Sequence, residues 1–151
     1  MQCRVLITAF LLAAGLIGSA AAQEGEYRAV DNPFQDDFKY RINTDLKPMV
    51  EVDGVRWNRF GIYTKKDQEI AADKNVSVTV ELEFVSSNQK GVKVLVIALL
   101  EDSNGGSLER IECKPVGGST NRRKESVQKF KVRGSTLEAA RRVYLFFEVE
   151  R

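Results

Sequence analysis

Histidine is absent from this 151-residue chain, and tryptophan (one), cysteine (two) and proline (three) are scarce. Without histidine there is no Ser-His-Asp or Cys-His catalysis, no imidazole-ligated metal and no imidazole pH switch. Two cysteines exclude a disulfide-dense miniprotein and a zinc site of the usual ligand set. Apolar runs are short as well. The longest, Val5 to Ile17, has 13 residues, against roughly 20 needed to span a bilayer, so a multi-span membrane protein is excluded. Charge of one sign is also lacking: 23 Lys+Arg against 21 Asp+Glu give a net charge of +2, which is not a polycation. With 43% hydrophobic residues the composition is that of one folded domain, not of a disordered or fibrous chain.

The N-terminus is organised as an export signal. Arg4 provides a short basic region, the apolar run follows, and Gly18-Ser19-Ala20-Ala21-Ala22 supplies small residues with Ala20-x-Ala22 as the cleavage signature. We therefore expect residues 1–22 to be a signal peptide and the protein to be periplasmic or extracellular, with no stable membrane span after cleavage. Export makes nucleic acid an improbable partner. Cys3 leaves with the signal, so Cys113 stands alone in the remaining 129 residues and no internal disulfide forms. Cys113 follows Ile111 at strand spacing and reads as a buried small hydrophobe.

Charge is balanced in sum and uneven in place. From Gln23 to Glu109 there are 11 basic and 16 acidic residues; from Arg110 to Arg142 there are ten basic and three acidic. A basic C-terminal segment of this kind can attract an anionic polymer or surface.

Residues 23–37, polar and without a sustained period, read as a flexible lead-in to a single domain over 38–151. From there the dominant signal is period two, the mark of half-buried strands. Val76, Val78, Val80, Leu82 and Phe84 alternate with Ser77, Thr79, Glu81 and Glu83, an arrangement that no helix would gather onto one face. Val92 to Leu100 is apolar at nearly every position, which fits a central strand covered on both faces or partly covered by a neighbour. Parity changes between Trp57 and Phe60, predicting a bulge near Asn58-Arg59. Leu137 to Arg142, behind Ser135-Thr136, has the composition of a short capped helix. Val143, Leu145, Phe147 and Val149 form the last alternating strand.

Seven or eight such strands, joined by Gly/Ser/Asn turns, predict an all-β antiparallel sandwich with a short helical crossover before the last strand. The pattern resembles immunoglobulin- or fibronectin-like sandwiches, without the paired cysteines of the antibody version. A small barrel is the alternative.

Chemistry-bearing motifs are few. There is no Gly-x-Ser-x-Gly elbow and no phosphate-binding glycine loop. Asp36-Asp37 and Asp102-Ser103-Asn104 offer oxygens but lack calcium-loop spacing and read as plain turns. No metal and no cofactor are expected. Glu81 and Glu83 lie about 7 Å apart by strand rise, a spacing that would suit a carboxylate-dependent glycosidase, but which is also the ordinary solvent face of an amphipathic strand. Trp57 fits the core of a sandwich; the competing reading makes it, with Tyr63, an exposed aromatic platform for sugar rings. Arg122, Arg123 and Lys124 form a basic loop, and Lys129, Lys131 and Arg133 project from one face of a strand. That stripe suits an anionic partner, and equally guards an edge strand against pairing. Asn75-Val76-Ser77 is a formal N-glycosylation acceptor. The functional expectation is an exported, non-catalytic binding or interaction module for a protein or glycan partner. Its candidate contact residues are Trp57, Tyr63, Arg122, Arg123, Lys124, Lys129, Lys131 and Arg133. A carbohydrate-binding module is the second reading and a glycosidase-like enzyme the third.

Overall fold

Alternating side chains resolve into strands almost from the first described residue. The computed structural model describes residues 25–151, and the predicted signal segment 1–22 lies outside the described residues. In chain order the elements are β1 (Arg28–Val30), β2 (Phe34–Lys39), β3 (Asp45–Leu46), β4 (Val50–Val52), β5 (Val55–Thr64) and β6 (Asn75–Ser86). They continue with β7 (Val92–Glu101), β8 (Ser107–Glu112), β9 (Val116–Gly118), β10 (Arg123–Arg133), α1 (Gly134–Ala139) and β11 (Arg142–Glu150). One sheet runs β1-β4-β5-β6-β10 with β3 on β5; the other runs β2-β11-β7-β8 with β9 on β7. All pairings between named strands are antiparallel except β1 with β4. The fold is an all-β sandwich of two separate sheets, not a closed barrel. Among the described residues it departs from the seven-strand immunoglobulin arrangement in its eleven strands and its parallel β1–β4 edge.

The core lies between the sheets, where the alternating set of β6 (Val76, Val78, Val80, Leu82, Phe84) meets that of β7 (Val92, Val94, Val96, Ala98, Leu100) and of β11 (Val143, Leu145, Phe147, Val149), all buried. Trp57 from β5 joins the two layers. It stacks on Phe147 at 4.4 Å between ring centroids and meets Phe34 and Phe60 edge-on. The predicted bulge is present as a register shift between Trp57 and Arg59, and the Trp57 indole N–H donates to the Arg59 carbonyl at 3.1 Å.

Two expectations need correction, and one needs extension. Among the described residues the strands number eleven, because β1, β3 and β9, two or three residues long and too short to show a period, add to the expected seven or eight. The stretch 23–37 is not merely a flexible lead-in: it contains β1 and the start of β2, and Phe34 is a core residue. Asn32 fixes this segment by donating to the Val149 carbonyl at 2.8 Å and accepting from the Val149 N–H at 3.1 Å. Lastly, the helix covers Gly134–Ala139, not Leu137 to Arg142, and the residue before it, Arg133, makes no side-chain cap. Its first N–H groups, those of Gly134 and Ser135, donate instead to the carbonyls of Lys74 and Ala72. Gly134 permits that approach, since a Cβ there would lie 2.0 Å from the Ala71 carbonyl oxygen.

Candidate functional site

The bulge in β5 decides the fate of the two aromatic candidates. Six residues apart, Trp57 and Tyr63 would share a face of a regular strand; the extra residue at the bulge sends them to opposite faces. Trp57 is fully buried and offers nothing to a ligand, so the aromatic platform of Trp57 with Tyr63 does not exist. Tyr63 lies on the outer face, its ring folded back over Gly61, where a Cβ would come within 2.3 Å of the Tyr63 hydroxyl. That hydroxyl donates to Asp45.

Around Tyr63 the outer face of the first sheet carries a charge network. Arg59 binds Glu81 at 2.9 Å and approaches Asp45 at 3.5 Å and Glu83 at 3.7 Å. Glu83 also accepts from Arg123 at 2.6 Å and from the Asn58 amide at 3.1 Å. Burial by itself would raise the Glu83 pKa, but the hydrogen bonds from Arg123 and Asn58, with both guanidiniums nearby, hold it below the usual carboxylate range. Asp45 is likewise lowered, chiefly by the hydroxyl of Tyr63 and further by Arg59. Tyr63 is itself pushed up to about 12 by burial and by the carboxylate it binds.

The basic candidates separate into three groups. Arg123 is spent on Glu83 and, at 3.5 Å, Glu125. Arg122 sits in the turn before β10, and Lys124 has the opposite strand parity to Arg123; both are exposed. Lys129, Lys131 and Arg133 stay together on the outer face of β10, at the free edge of the sheet. They stand opposite Thr79, Ser77 and Asn75 of β6, and Tyr63 of β5 continues the Lys129–Thr79 row. All three are exposed, and none forms an ion pair among the described residues. Asn75, the formal glycosylation acceptor, is exposed at the end of this face.

The oxygen clusters serve local structure. Asp102 accepts from the N–H groups of Asn104 and Gly106, both at 2.8 Å, and so closes the β7–β8 turn. Asp36 and Asp37 point to opposite sides of β2, toward Arg28 and Arg142 respectively. Cys113 is buried, and burial pushes its thiol up to about 12.

Sequence reasoning missed one surface. Leu95, Ile97 and Leu99 of β7 and Tyr144 and Phe146 of β11 are only half-buried, on the outer face of the second sheet. Ile97, Leu99, Tyr144 and Phe146, with Arg110, line a shallow concavity of about 300 Å³. The unbroken apolar run of Val92 to Leu100 was its signal: one parity fills the core and the other has no layer above it.

No family model and no curated protein sequence matches the chain. Among solved structures, it is similar to the Avr2 effector protein from the fungal plant pathogen Fusarium oxysporum, with 11% identity and a TM-score of 0.34 over 82% of this chain and 92% of that one. It is also similar to the RGD-containing host-selective toxin Ptr ToxA of Pyrenophora tritici-repentis, with 13% identity and a TM-score of 0.33 over 85% of this chain and 100% of the toxin. Among the described residues, no helix is long and apolar enough to cross a membrane.

Proposed function

We propose that the chain is an exported, non-catalytic binding module that holds an anionic polysaccharide along the outer face of β10. One observation carries this reading. Most arginines of the surrounding face are matched to carboxylates, whereas Lys129, Lys131 and Arg133 form a row of cations without ion-pair partners among the described residues. Strand geometry spaces them about 7 Å apart, a ladder that a polymer with regularly repeated sulfate or carboxylate groups can follow. Ser77 and Thr79 beside the ladder supply hydroxyls for the sugar oxygens. The same lysines also discourage strand pairing at this edge, a role compatible with ligand capture.

Recognition by charge takes the place of stacking on aromatics, since Trp57 is buried. The non-catalytic reading is supported by the engagement of both Glu81 and Glu83 with guanidinium groups. Glycoside cleavage needs one carboxyl that carries a proton and a second that is ionised, and Glu83, lowered by its guanidinium and amide partners, does not suit the first role. Export is supported by the signal-like composition of residues 1–22.

Binding to dextran sulfate, with neutral dextran as control, tests the proposal. Retention is expected on the sulfated polymer alone, weakening as salt rises above about 0.1 M. The triple substitution Lys129→Glu, Lys131→Glu, Arg133→Glu should abolish it, while Arg122→Glu, off the ladder, should change it little. Undiminished binding by the triple variant would sink the proposal.

A further inference from the structure

The outer faces of the two sheets differ in kind. On the first sheet that face is mostly polar, with Glu81, Thr79, Ser77 and Lys129 around the exposed Val127, the usual choice for a sandwich. On the second sheet the corresponding central positions hold Leu95, Ile97, Leu99, Tyr144 and Phe146. A contiguous apolar patch inside a charged rim is the anatomy of a protein-binding surface.

The rim says which protein. Register places Arg142 beside Glu101 at one end of the β11–β7 pair and Glu150 beside Lys93 at the other. Outside the pair, Asp37 of β2 lies in the row of Tyr144, and Arg110 of β8 in the row of Leu99, its cross-strand neighbour. Opposite charges therefore face each other across a line drawn along the strands between β11 and β7. A two-fold axis on that line lays every residue of one strand over the cross-strand neighbour of the other in a second copy. Arg142 then meets Glu101, Glu150 meets Lys93, and Asp37 meets Arg110, each twice by symmetry, extending the ion pairs that Arg142 makes with Asp37 and Arg110 with Glu112 inside each copy. Between them Tyr144 covers Leu99 and Phe146 covers Ile97. Glu148 over Leu95 is the one unfavourable overlay along the two central strands.

We infer that the outer face of the second sheet is a self-association surface, on which two copies pack face to face about a two-fold axis along β11 and β7. Isologous packing of this type requires a self-complementary patch, which the rim charges provide. Four strands and five rows of side chains cover roughly 20 Å by 27 Å, about 500 Å² per copy. That total of about 1,000 Å² is at the lower end for specific interfaces, so the dimer is weak and reversible, in the micromolar range. Dimerisation leaves both β10 ladders exposed and is independent of polysaccharide binding.

Sedimentation equilibrium of the purified protein tests the inference. The expected result is a monomer–dimer equilibrium that Leu99→Lys shifts fully to monomer, with an unchanged far-ultraviolet spectrum. If Leu99→Lys fails to fold, Arg110→Glu, on the exposed rim, should still weaken the dimer several-fold. Lys93→Glu should weaken it about tenfold, and adding Glu150→Lys should restore it, because the swapped pair is again complementary across this axis. A wild-type protein that stays monomeric at about 0.5 mM overturns the inference. So does a dimer indifferent to both Leu99→Lys and Arg110→Glu, or a Lys93→Glu defect that Glu150→Lys does not repair.

Discussion

Glu83 stands on the outer face of its sheet and yet is only 6% exposed, because Arg123, Asn58 and Arg59 close over it. A carboxylate so covered must remain charged to satisfy its three partners. Its pKa is lowered in the fold from an ordinary 4.5, so the unfolded chain takes up the proton first as the solution is acidified. Stability from this group is complete above about pH 5 and is lost as pH falls through the folded-state value. Chemical denaturation from pH 7 to pH 3 should show this loss, and Glu83→Gln should flatten it while lowering stability at pH 7 by about 1–3 kcal/mol. Identical pH slopes for the two proteins would contradict the assignment. Residue types alone marked Glu81 and Glu83 as a possible catalytic pair. Their pairing with arginines depends on Arg59 and Arg123, residues distant in sequence that only the β5-β6-β10 pairing brings alongside.

At the scale of the element, β6 is where sequence and structure agree most closely. Its five alternating apolar residues are all buried, and the facing set looks outward. Val80→Asp places an unpaired charge in the core and should unfold the domain, by a cost of several kcal/mol. Thr79→Asp, on the outer face beside Lys129, should keep the fold and weaken dextran sulfate binding by adding an acid to the ladder. Circular dichroism and the binding assay together check both outcomes; equal loss of structure would contradict the face assignment. The bulge in β5 was legible for the same reason, since a parity change is a local signal. Helix α1 was not: its start is set by the loop carbonyls of Ala72 and Lys74, some sixty residues away in sequence, and not by the Ser/Thr cap that the sequence offers.

At the scale of the whole molecule, the two sheets are joined through Trp57 of one and Phe147 of the other, with Phe34 from the β2 segment closing the contact. Trp57→Ala should therefore act on the entire sandwich, costing about 3–5 kcal/mol and lowering the melting temperature of one cooperative transition. In the wild-type protein the single tryptophan should be shielded from acrylamide, and its emission should not respond to neutral glycans. Quenching at the rate of a free indole would refute its burial.

The sequence by itself determined the class of fold, the inward parity of the long strands, the buried Cys113 and the chemistries closed to a chain without histidine. These follow from period, composition and residue type, which are local properties. Tertiary structure alone decided that Arg123 is neutralised while Lys129, Lys131 and Arg133 are not, that Trp57 and Tyr63 part company, and that half of an apolar strand has no layer above it. Each of these depends on what stands opposite a residue across a sheet or above it. The pairing of strands sets those neighbours, and one strand's own alternation does not.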